Sequence, residues 1–247
     1  MYLVLCHDYD ECARWAYRQL LAAGLAPLEI ITSSDLAAAC RWDHRLGQDG
    51  VQLEVELADR RVVRGSEVRG VLNRLMEAPR DIVDRAETAD REYAGAEMAA
   101  FYLSWIAGLR NPINSPTPMG LCGAFRHVSA WAVLAAQAGF AVPGYRQSHR
   151  DRPASGYASM APAGVQLSTV IVLRGQTYGS SGSPVPHEVA RRCRRLAHMS
   201  GTDLLGIDLF DSEEGWEFAY ATPWPNLIAG GAGLIDGLMQ ALRGEPT

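Results

Sequence analysis

"EFAYATPWPNL", residues 217–227, is a strand that runs into a turn bracketed by two prolines. Proline fixes its own φ and cannot donate to a β ladder, so the strand has to end near Thr222 and the chain has to turn. Just upstream, "LLGIDLF" (204–210) is a second apolar run with branched residues, and Glu213-Glu214-Gly215 lies between the two. The pair reads as an antiparallel hairpin turning on Glu-Glu-Gly. Downstream, "GAGLIDGLMQALRG" (231–244) reads as a closing helix.

Working further out, "QLSTVIVLRGQTYGSS" (166–181) reads as another hairpin, turning at Arg174-Gly175. "PHEVARRCRRLAHMSG" (186–201) is a helix with proline in its first turn and glycine at its end. Its arginines 191, 192, 194 and 195 share one arc, and Val189, Cys193 and Leu196 fall opposite, as on a surface helix docked by its apolar face. Two long helices are expected over 88–111 and 121–139, joined by the proline-rich "PINSPTP" (112–118). The polar "RDRPASGYASMAPAG" (150–164) is a loop by composition. The N-terminal part reads as strand (2–6), helix (8–24), strand (28–32), helix (33–42), hairpin (51–65) and strand (68–75). That order is a small α/β sheet domain, with a boundary expected near residue 110: 1–110 and 111–247.

Composition narrows the chemistry. Net charge is −5 over 247 residues, which gives no reason to expect nucleic acid or an anionic membrane as partner. "MYLVLCHDYDE" has no basic n-region and turns acidic at once, so a cytoplasmic location is expected. Five widely spaced cysteines then read as free thiols. All 23 basic residues are arginine. Without lysine there is no Schiff base, no lysine general base and no P-loop.

The C-terminal order resembles the end of an ATP-grasp domain of the glutathione synthetase and ribosomal-protein glutamate ligase type. That family runs Gly-x-Asp, a hairpin, Glu-x-Asn-Pro-x-Pro and a helix; here stand "GIDLF", the hairpin, "YATPWP" and the helix. "PINSP", the helix after it and "AGFAVP" resemble the family's asparagine-proline segment, helix and exit, and the first βαβ unit resembles the preceding pre-ATP-grasp domain. The fold so implied is α/β: a pre-ATP-grasp-like sheet domain joined to a truncated ATP-grasp-like α+β half. Only about two dozen residues separate "AVPGY" from "TVIVL", too few for the usual small nucleotide-clamping lobe.

Position by position, the resemblance implies a magnesium-binding role for Asp208, while Tyr220 and Thr222 stand where the family has glutamate and asparagine. Arg126 falls near the family's helix-borne lysine, and Arg126, Arg174 and Asp208 are the residues left to hold Mg-ATP. Asn73 and Arg74, at a strand's C-terminal end, and Asn114 are candidates for substrate binding, since arginine forks onto carboxylates. A salt bridge from Arg74 to Asp81, Asp84 or Glu87 is the structural alternative. A separate candidate is the edge "CHDYDEC" (6–12): Cys6, His7 and Asp8 as metal ligands, or Cys6 as a thiol activated by a helix N-terminus, against plain capping and packing.

With most of its phosphate-handling groups replaced, the chain is expected to be a degenerate relative that does not ligate alone. It would bind a protein or peptide partner as a subunit of a biosynthetic or peptide-modification complex, in a homodimer or heteromeric assembly. The alternatives are an ATP-dependent carboxylate–amine ligase completed by a partner or second copy, and a metal enzyme built on the Cys6–Cys12 edge.

Overall fold

The computed structural model describes residues 1–48, 50–79, 83, 86–144, 164–212 and 215–245. Nearly all of the expected 150–164 loop, the Glu213-Glu214 connector and the possible partners Asp81 and Asp84 lie outside the described residues. The chain divides into two compact units, Met1–Ala124 with the end of the last helix, and Phe125–Gly237.

The elements of the first unit are β1 (Tyr2–Cys6), α1 (Glu11–Ala22), β2 (Leu28–Thr32), α2 (Ser33–Ala37), β3 (Arg41–Gly47), β4 (Gly50–Glu56), β5 (Val62–Arg64), β6 (Gly70–Arg74), α3 (Arg91–Gly108) and β7 (Pro112–Ile113). Every residue of β1 is buried, as its unbroken apolar run requires of a central parallel strand. It pairs with β2 and β6 in a parallel sheet ordered β2-β1-β6-β7. A separate antiparallel sheet, β3-β4-β5, packs Trp42 edge-on against Phe101, Tyr102 and Trp105 of α3.

The helix expected over 33–42 stops at Ala37. A capping box of Thr32 and Asp35 starts it, but Trp42 then packs into the aromatic cluster from a strand. Tertiary packing overrides the helix propensity of the alanine run.

The second unit holds α4 (Val128–Ala138), β8 (Ser168–Leu173), β9 (Gln176–Gly179), α5 (His187–Ser200), β10 (Leu204–Ser212), β11 (Gly215–Thr222) and most of α6 (Gly231–Arg243). Its strands form one antiparallel sheet, β11-β10-β8-β9, and Trp131 of α4 and Cys193 and Leu196 of α5 share a core with Val172, Leu205, Ile207 and Phe218. The helix expected from residue 121 begins only at Val128. Gly123 adopts φ +108, which no α-helix allows, and the backbone N–H of Leu121 donates to Met76. Among the described residues, no helix is long and apolar enough to cross a membrane.

Candidate functional site

The hairpin of β10 and β11 presents a row of polar side chains. Asp208 pairs with Tyr220 on one side and with Thr169 on the other, so the three share a face. Strict alternation would have put Tyr220 on the same face as Phe218. It does not, because the register shifts after Asp208: Leu209 pairs with Phe218, and Ala219 is an extra residue. This bulge lets both Phe218 and Ala221 face the core, although three positions apart. Tyr220 and Thr222 are thereby turned to the face of Asp208.

The proline turn is folded back on the sheet. A Cβ on Gly206 would lie 2.7 Å from the Cβ of Pro225, so only glycine fits beneath the turn. The Thr222 hydroxyl accepts from the backbone N–H of Trp224 at 3.1 Å, and Asn226 caps the next turn through Ile228 N–H. Asp208 is half-buried, and Oδ1 accepts a 2.6 Å hydrogen bond from the Thr169 hydroxyl. Burial pushes its carboxyl above the ordinary value, against the Thr169 hydrogen bond. An apolar cleft of about 260 Å³ lies at the end of the same strands, lined by Val170, Ser180, Val185, Leu209 and Trp216; Val170 and Leu209 belong to the core face, opposite to Asp208.

The donors in this row do not suit Mg²⁺, which takes near-octahedral oxygen ligands and usually more than one charge from carboxylates or phosphates. One carboxylate stands beside a phenol and a hydroxyl, and the hydroxyl of Thr222 already serves the turn. Among the described residues, no three His, Cys, Asp or Glu side chains come together as a metal site.

No family model matches the chain, and no curated protein matches it in sequence. Solved structures do. Macrocyclase MdnC, bound with precursor peptide MdnA, from Microcystis aeruginosa MRC is similar over 99% of this chain and 99% of its own, with 13% identity and a TM-score of 0.72. A Chryseobacterium gregarium RiPP-associated ATP-grasp ligase, in complex with ADP and a leader and core peptide, covers 98% and 95%, with 10% identity and a TM-score of 0.68. ATP-grasp ligase PsnB, complexed with minimal precursor, covers 98% and 97%, with 15% identity and a TM-score of 0.64. The fold is ATP-grasp-like. At such identities the likeness fixes the architecture of this ATP-grasp-like chain, a mixed α/β one with several sheets, and not its chemistry.

The other residues singled out in the sequence lie as follows. Arg126 precedes α4 rather than standing on it; its Nη2 donates to the Ser200 carbonyl at 3.0 Å and its guanidinium lies over Trp131. Arg174 sits in the β8–β9 turn, at the far end of β8 from Thr169. In the first unit, Arg74 is fully buried against Asp10, with Nε to Oδ2 at 2.6 Å and Nη2 to Oδ1 at 3.2 Å. Asp10 also caps α1 through Ala13 N–H. Asn73 donates to the carbonyls of Asn114 and Leu121, at 3.0 and 2.7 Å, and Asn114 is itself buried with φ +59.

At the 6–12 edge, His7 Nε2 accepts from Met76 N–H at 3.0 Å, and burial lowers its pKa. Partial burial pushes the Asp8 carboxyl up, but hydrogen bonds from Ser33, Ser34 and Thr32 outweigh it and hold it at about 2. The Cys6 thiol, expected to be activated by a helix N-terminus, is instead pushed up to about 12, by burial first and then by the Asp10 charge. Thr169 and the bulge at Ala219 had no mark in the sequence. Asp10 had one: it is the last acidic residue before the first helical turn, a capping position.

Proposed function

We propose that this ATP-grasp-like chain is a peptide-binding accessory subunit of a peptide-modification complex and forms no acyl phosphate by itself. The observation that carries this is the row Asp208, Tyr220, Thr222: one half-buried carboxylate, already hydrogen-bonded to Thr169, where phosphoryl transfer needs converging charge on metal and phosphates. The peptide is supported by structural neighbours solved with a bound precursor peptide or with a leader and core peptide. The apolar cleft of the second unit supports it too, as a recess of a size that takes one or two side chains. Residues 1–110 and 111–247 are the domains in which we place these two roles, fold scaffold and peptide cleft.

The test is ADP release by the purified chain with Mg-ATP and a pool of synthetic acidic peptides, with hydroxylamine present to trap acyl phosphate. Background release, unchanged in Asp208→Asn, is the expected result. Turnover that survives purification and is lost in Asp208→Asn overturns the reading. It would favour the second one, a ligase completed by a partner or second copy, for which the partly open carboxylate of Asp208 is the supporting feature.

A further inference from the structure

The β8–β9 turn and the end of α5 enclose a second cavity, of about 390 Å³, lined by Arg174, Arg194, His198, Thr202 and Asp203 with small residues between them. Arg174 and Gly175 both have positive φ, +45 and +86. This is the geometry of a two-residue hairpin turn in which Asn or Asp normally precedes glycine. An arginine held in the left-handed region is strained, and strain of this kind gathers at functional positions. The turn is fixed to the loop after α5, since Arg174 N–H donates to the Asp203 carbonyl at 2.7 Å.

Arg194 and His198 stand one turn apart on α5 and share a face. The arginines on the neighbouring face are committed: Arg191 and Arg192 both pair with Glu188, at 2.6 and 3.2 Å. Among the described residues, Arg194 makes no ion pair, although it is half-buried in the cavity wall. Arg174 forms a loose ion pair with Asp203, Nε to Oδ2 at 3.8 Å, a length that leaves guanidinium N–H groups to share with a second anion. The carbonyls of Ala197 and His198 near the end of α5 accept from the Gly201 and Thr202 N–H groups.

We propose that this cavity binds an oxyanion, the phosphate or carboxylate group of a small ligand, between Arg194 and Arg174 with His198 as a further donor. Guanidinium groups present paired N–H donors that match both anions, and the concave wall between them excludes part of the water. The site is distinct from Asp208. Arg174 is five residue steps along the chain from Thr169, or about 16 Å at a strand's rise. One phosphate therefore cannot bridge both, and the site stands whether or not the peptide-binding reading holds.

The test is calorimetric titration of the full chain with inorganic phosphate and, separately, with succinate, at constant ionic strength set with chloride. Saturable one-to-one binding of at least one anion is expected, weakened at least tenfold by Arg194→Ala and by His198→Gln in combination with Arg194→Gln. Arg191→Ala, which removes an exposed charge from the same helix, and Asp208→Asn should each leave it within twofold. Binding of phosphate alone assigns the site to phosphate ligands, and of succinate alone to carboxylates. No saturable binding of either anion overturns the proposal. So do equal losses in Arg194→Ala and Arg191→Ala, which mean diffuse charge. Melting temperatures of the variants within a few degrees of the parent establish that the losses are local.

Discussion

Two strands carry the acidic and basic residues that promise chemistry, and they are built in opposite ways. At the end of β6, Arg74 and Asp10 are both buried and bind each other through two hydrogen bonds, and Asn73 bridges two carbonyls. On β10, Asp208 keeps a part-exposed carboxylate with a hydroxyl on one oxygen. A charged group locked into the fold is a structural part. One that stays partly exposed is what a ligand can use. The more exposed of these groups is in the second unit, although the first unit holds more of the residues that look reactive.

Removing half of the locked pair should have the largest effect. Asp10→Ala leaves Arg74 buried and uncompensated and should cost about 3–5 kcal/mol in urea unfolding. The double variant Asp10→Leu, Arg74→Met should recover most of it, because no charge then stays buried. A mild effect of Asp10→Ala would break the comparison.

Asn73→Leu comes next. It strips a donor from two buried carbonyls and should cost about 1–3 kcal/mol by the same measurement. Asp8→Ala should cost less, about 0.5–1 kcal/mol, since the group caps the two serines from an exposed position. Its folded pKa is depressed, so its contribution is present above the ordinary carboxylate pKa. It should disappear as pH falls from about 4 to about 2.

Asp208→Asn should act least and with the opposite sign. The folded carboxyl is held above its ordinary pKa, so the ionised group weakens the fold once pH exceeds that value. Replacing it should raise the melting temperature slightly at pH 7, by less than about 4 °C, the scale of 1 kcal/mol in a chain of this size. At pH 3 it should change nothing. A drop at pH 7 would mean that Asp208 is locked like Arg74.

Much of the fold was legible because it rests on local signals. The branched run of β1, the Arg174-Gly175 turn, the prolines around Trp224 and the glycine after Ser200 each mark an element that the structure contains. What was not legible depends on distant partners. Nothing near Trp42 announces that it leaves a helical run to meet Trp105, and nothing near Asp10 names Arg74 as its partner 64 residues away. The bulge at Ala219 is a register choice made by the core residues Phe218 and Ala221 together, invisible to a reading that takes each strand alone.

The most direct measurement is calorimetric titration of the purified chain with a non-hydrolysable ATP analogue and magnesium. A row holding one carboxylate predicts no saturable heat that depends on Asp208, and no thermal stabilisation that depends on it. Micromolar binding that is lost in Asp208→Asn would contradict the account and make this ATP-grasp-like chain a nucleotide-using ligase.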